Sequence, residues 1–124
     1  MPEYEDLRAR TKRFALSIVR FYAILPHTTE AQVIGRQLLR SGTSVGAHYH
    51  EGCRARSKAE FISKLEGAQQ ELEESMYWLE LVAEAGIAKP VAVTPLLVEA
   101  KELMAILSAS VTTSKQTGRS PAKY

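Results

Sequence analysis

Apolar residues recur along this chain with helical period. From Leu7 they fall at Leu7, Phe14, Ile18, Phe21 and Leu25, with Thr11 in the one weak slot, a heptad series that predicts a helix over about 5–25. Pro26 ends it, and Thr28 or Thr29 stands where the next helix needs a cap. The second helix is expected over about 30–52, with Ile34, Leu38, Ser41, Val45, His48 and Gly52 facing inward. Gly42 and Gly46 lie inside it, each costing roughly 1 kcal/mol relative to alanine, so they point to a close helix approach or a strained site. Gly52 suits a C-terminal break.

Ser57-Lys58-Ala59-Glu60 reads as a capping box. Phe61, Leu65, Ala68, Leu72, Ser75, Leu79 and Val82 then predict a third helix over about 58–86. Thr94 as cap and Pro95 at the first helical position predict a fourth over about 95–114, carrying Leu96, Leu97, Ala100, Leu103, Ile106, Leu107 and Val111 inward. No strand pattern or internal repeat appears. Short connections between helices force antiparallel neighbours, so the expected fold is all-α: one domain over 1–114, an up-down-up-down four-helix bundle. Residues 115–124, with Gly, Ser, Pro and bases, are expected to be a disordered basic tail.

The charge is segregated. The net charge of +2 hides ten Lys/Arg against five Asp/Glu in residues 1–58, three against nine in 59–107, and three against none in 108–124. A basic front, an acidic third quarter and a basic end are complementary faces that can meet within one chain, between subunits or on a nucleic acid, unless each is simply solvated. No apolar run is long enough to span a bilayer, and MPEYEDLRAR lacks the apolar core of a signal peptide. With Cys53 as the single cysteine no internal disulfide can form. A cytoplasmic location and no membrane partner are expected.

The inward stripes of the second and third helices carry a polar load. His48 and Glu51, and Glu71 and Glu74, sit three apart. Di-iron bundles pair two Glu-x-x-His motifs with two further Glu, whereas here the first motif is reversed and the second lacks histidine, so no metal or cofactor is expected. His50 and Cys53 supply two ligands, short of a zinc site, and His50 is expected near the surface. Arg54 and Arg56 are placed to lower the Cys53 pKa, yet no base and orienter accompany it, and no enzymatic activity is expected. The load reads instead as a structural network of Arg40, Ser44, Glu51, Glu71 and Glu74 that sets helix register, with Arg40 pairing a third-helix carboxylate in the interior. Tyr77 and Trp78 are either plain core or anchors of a subunit interface. The basic turn Arg54, Arg56 and Lys58, with Arg36, is the candidate phosphate-binding surface, extended by Lys115, Arg119 and Lys123. No aromatics are interleaved with it, so base stacking is not indicated.

Gln37-Leu38-Leu39-Arg40-Ser41, Ser44-Val45, Glu51-Gly52, Ser57-Lys58-Ala59-Glu60-Phe61, Leu65, Ala68 and Glu71-Leu72-Glu73-Glu74-Ser75-Met76-Tyr77-Trp78-Leu79 come in an order that resembles the bacterial four helix bundle protein family, also called the 23S rRNA-intervening-sequence protein family. The likeness extends to Glu99-Ala100-Lys101-Glu102-Leu103 and covers roughly residues 7–112. Where the family usually has Pro-Ala-Asn, this chain has Gly46-Ala47-His48. The resemblance implies a four-helix bundle assembled as a ring-like homopentamer. The family is structurally similar to the accessory variability protein of diversity-generating retroelements, a basic pentameric barrel that binds a reverse transcriptase and nucleic acid. The expected function is therefore a non-enzymatic oligomer binding RNA or DNA through its basic surface. The alternative is a scaffold or accessory subunit for a protein encoded nearby, for example a reverse transcriptase, without nucleic-acid contact.

Overall fold

The computed structural model describes residues 6–117. It contains four helices and, among the described residues, no strand: α1 (Leu7–Ala23), α2 (Thr29–Cys53), α3 (Lys58–Glu84) and α4 (Pro90–Thr117). The expected start of α1 at residue 5, and the tail from 118 onward, lie outside the described residues. No described helix is long and apolar enough to cross a membrane.

Side chains cap three of the helices. Asp6 accepts the Arg8 amide at 2.9 Å, Thr28 accepts the Ala31 amide at 3.3 Å, and Ser57 accepts the Glu60 amide at 3.0 Å. The Glu60 carboxylate reaches back one residue beyond the cap and accepts the Arg56 amide at 3.2 Å. After α3, Gly86 takes φ +73°, a left-handed position that favours glycine.

Helices adjacent in sequence pack on one another, most extensively α2 on α3, while α1 and α4 touch less than these neighbours. Residue numbers fall on one helix as they rise on the next. Gly35, Gly42 and Gly46 of α2 lie against Tyr22, Ile18 and Thr11 of α1. Arg40 and Ser41 meet Glu71, Glu74 and Ser75 of α3, and Gly52 meets Leu65. Glu66 and Gln69 meet Lys115 and Ser108 of α4. Arg10 ties α1 to α4, donating to Glu99 at 2.7 and 2.9 Å and to Glu102 at 2.6 Å.

The core is the expected apolar set with corrections on α2 and α4, and of the α4 series Leu96, Leu97 and Ile106 are only half-buried. On α1 and α3 every inward residue of the sequence pattern is buried, Thr11 included, because its hydroxyl donates to the Leu7 carbonyl at 2.7 Å. On α2 the buried line passes through Ala31, Gly35, Leu38, Gly42, Val45, Gly46 and Tyr49, so Tyr49 occupies the place expected for His48, and Ile34 is only half-buried. Gly52 does not break α2: the helix continues to Cys53, and a Cβ on Gly52 would lie 3.0 Å from Leu65. On α4 the helix begins at Pro90, five residues early, with Val93 buried and Pro95 inside it. Thr94 caps nothing, because its hydroxyl donates to the Pro90 carbonyl at 2.9 Å. The C-terminal end of α4 also runs past the expected stop. Lys115 is helical and ion-paired with Glu66 at 3.1 Å, so it is no part of a disordered tail.

Candidate functional site

The polar load of α2 and α3 resolves into separate groups. At mid-bundle, Arg40 bridges two carboxylates one helical turn apart, donating to Glu71 at 3.2 Å and to Glu74. Glu74 also accepts the Trp78 indole N–H at 3.0 Å. The indole N–H and the Arg40 guanidinium hold the Glu74 carboxyl below the usual glutamate range. The pairing of Arg40 was expected in the interior, yet half of its side chain is exposed. Its long stem lies along the helix pair and its head sits at the rim. Beneath the bridge, the Ser41 and Ser75 hydroxyls are fully buried and 2.8 Å apart.

Two members of the expected network stand outside it. The Ser44 hydroxyl donates to the Arg40 carbonyl of its own helix at 2.8 Å. Glu51 pairs with Lys64 at 2.9 Å, nearer the basic turn. His48 packs on the bare face of Gly67, where a Cβ would come within 2.9 Å of Nδ1, and its Nε2 lies 3.8 Å from Glu71. Among the described residues no three His, Cys, Asp or Glu side chains converge as a metal-ligand set.

At the end of the bundle holding the α2–α3 turn, Tyr49 is buried with its hydroxyl beside Cys53. Burial pushes the Cys53 thiol above its ordinary pKa, the opposite of the lowering expected from Arg54 and Arg56. The Tyr49 hydroxyl and the Arg8 charge pull it down and the Asp6 charge pushes it up, all more weakly than burial. His50 is exposed, as expected, with Nε2 3.4 Å from the Arg8 carbonyl oxygen. Tyr49 went unnoticed in the sequence, although its spacing of four from Val45 and eleven from Leu38 was the available signal. A shallow groove of about 160 Å³ between α1 and α2 is lined by Lys12, Ala15, Thr43, Gly46, Ala47 and His50.

The basic turn projects from the same end. Arg54 and Arg56 are exposed, Lys58 is half-buried, and none of their side chains forms an ion pair among the described residues. Arg36 is also exposed and unpaired there, but it sits eighteen residues up α2, about 27 Å away along the helix axis at 1.5 Å per residue. The turn and Arg36 are therefore separate positive sites. Tyr77 is 55 % exposed, which removes it from the core. Trp78 packs partly against the core, and the two rings meet edge-to-face at 5.0 Å.

The family model described as 23S rRNA-intervening sequence protein matches residues 5–109. A solved structure from Bacteroides thetaiotaomicron, described as a protein with unknown function from the S23 ribosomal protein family, is 33 % identical. It aligns over 86 % of this chain and 98 % of its own, with a TM-score of 0.81. No curated protein matches.

Proposed function

We propose that this chain, which belongs to the 23S rRNA-intervening sequence protein family, is a non-enzymatic, cytoplasmic nucleic-acid-binding protein working as a ring-like homopentamer of up-down-up-down bundles. The observation that carries the binding role is the turn between α2 and α3. Arg54 and Arg56 project into solvent with Lys58 beside them, and no carboxylate of the described chain neutralises their side chains. Cations so placed gain most from phosphates, by releasing the counterions held on a nucleic acid. The contact is electrostatic and indifferent to sequence, since among the described residues no exposed aromatic at the turn offers a base a stacking surface. The opposite order of contacts on successive helices supports the up-down topology.

The test is retention of single- and double-stranded RNA and DNA by the purified chain at low salt. Binding should weaken steeply as salt rises and fall further in the Arg54→Ala, Arg56→Ala, Lys58→Ala triple variant. Absence of retention at low salt removes this function. One observation favours a protein scaffold instead. Ile24, Val33 and Val91 are 75, 53 and 77 % exposed, and all three lie toward the bundle end opposite the basic turn. Co-purification of a neighbouring gene product that survives nuclease treatment would support that reading.

A further inference from the structure

The outer faces of α1 and α3 carry opposite unpaired charge around exposed apolar side chains. Lys12, Leu16, Val19 and Arg20 lie on the side of α1 turned away from Phe14, Ile18 and Phe21. Leu16 and Val19 are 41 and 43 % exposed, between two cations that form no ion pair among the described residues. On α3, Glu73, Tyr77, Glu80 and Glu84 recur at helical spacing and all are exposed. The three carboxylates are unpaired among the described residues, unlike Glu71 and Glu74, which Arg40 engages. The cations stand eight residues apart, about 12 Å, and Glu73 and Glu80 seven apart, about 10 Å, so the two faces match in length.

We infer that the face of α1 formed by Lys12, Leu16, Val19 and Arg20 docks on the face of α3 formed by Glu73, Tyr77, Glu80 and Glu84 in a second copy of this chain. This rests on the self-assembly proposed above and names the surfaces that build it. Tyr77 is the anchor, packing its ring against Leu16 and Val19 while a cation meets its face. The two faces differ, so the contact is heterologous: every docked copy leaves one face of each kind free for the next, which yields a ring when the rotation closes. A second copy fits because the chain itself supplies both members of the complementary pair. Lys12 and Arg20 are among the bases of residues 1–58 and Glu73, Glu80 and Glu84 among the acids of 59–107, so this contact draws on part of that segregation.

Light scattering on the full chain, at low and high salt, tests the inference with three charge variants. Lys12→Glu with Arg20→Glu should weaken assembly at least about tenfold, and so should Glu73→Lys with Glu80→Lys, because each sets like charges face to face. The fourfold exchange should restore assembly, and the two double variants should associate with each other when mixed though neither does alone, without closing a five-membered ring, because favourable contacts then alternate between the two. Helical content should stay near that of the parent chain, since all four residues are exposed, while melting falls only by what assembly contributes. A parent chain that stays monomeric at micromolar concentration overturns this contact together with the proposed ring, and leaves both faces to other partners. A parent chain that assembles, with reversals that leave assembly unchanged or a fourfold exchange that fails to restore it, overturns this contact alone.

Discussion

The Ser41 and Ser75 hydroxyls meet 2.8 Å apart in the fully buried seam between α2 and α3. Each has one proton to give: with Ser75 donating to the Glu71 carbonyl at 2.9 Å, Ser41 donates either to Ser75 or, at 3.3 Å, to the Leu38 carbonyl of its own helix. Two small polar residues thereby let the helices approach closely and still satisfy their hydroxyls.

Removing one partner of this pair leaves the other hydroxyl with its helix carbonyl alone. Ser41→Ala or Ser75→Ala should each cost about 1 kcal/mol, and the double variant should cost less than the sum of the two. Urea unfolding of the four chains in a double-mutant cycle measures this. Strictly additive losses would show that the hydroxyls do not act together.

Gly42 sets the spacing between α1 and α2. A Cβ there would lie 2.8 Å from Ile18 Cγ1 and 3.0 Å from Cγ2, both on a fully buried side chain with no free direction to move. Gly42→Ala gains about 1 kcal/mol of helix propensity but overpacks the seam at about 1–3 kcal/mol, for a net loss of up to about 2 kcal/mol. Adding Ile18→Ala should recover part of that loss relative to the sum of the single changes. A Gly42→Ala protein at least as stable as its parent in denaturant would contradict the close contact.

The two glycine positions show where the sequence was readable. That Gly42 and Gly46 lie in a helix at a real cost was enough to suggest close approach, and Ile18 and Thr11 stand there. The stripe of α1 was legible because large apolar residues fill it. The stripe of α2 was not, because Ala31, Gly35 and Gly42 bury as backbone and give no hydrophobic signal. Phase drifted as a result, and His48 was read inward in place of Tyr49. The start of α4 was misread because proline is tolerated in an early turn when packing, here of Val93, outweighs one lost hydrogen bond. Of the candidate site, the basic turn followed from the residues alone. The sharing of Arg40 by Glu71 and Glu74 did not, because a long side chain reaches more than one acceptor.

That sharing sets an acid limb. Trp78 and Arg40 lower the folded-state pKa of Glu74, so the folded chain binds fewer protons than the unfolded chain just below the ordinary glutamate pKa. The stabilisation is complete above about pH 4.3 and is lost as pH falls through the lowered folded value. Thermal melts between neutral and acid pH should show stability falling there, and Glu74→Gln should flatten the fall. The effect is modest because Arg40 is half exposed. An unchanged acid limb in Glu74→Gln would assign it to other carboxylates.

The separation of Arg36 from the basic turn makes the nucleic-acid reading quantitative. If Arg54, Arg56 and Lys58 each neutralise one phosphate of a duplex, the logarithm of affinity falls with the logarithm of salt concentration at a slope of about −2.7, or about −2.1 for a single strand. Each alanine substitution in the turn should reduce the steepness by about 0.7–0.9, as well as weaken binding uniformly across sequences. Arg36, about 27 Å up α2, serves as the internal control: Arg36→Ala should leave slope and affinity for a short oligonucleotide nearly unchanged. Binding isotherms over a salt series, repeated for the four single variants, decide the matter. A slope that responds to Arg36 as strongly as to Arg54 would place the nucleic acid along the side of α2 and not at the turn.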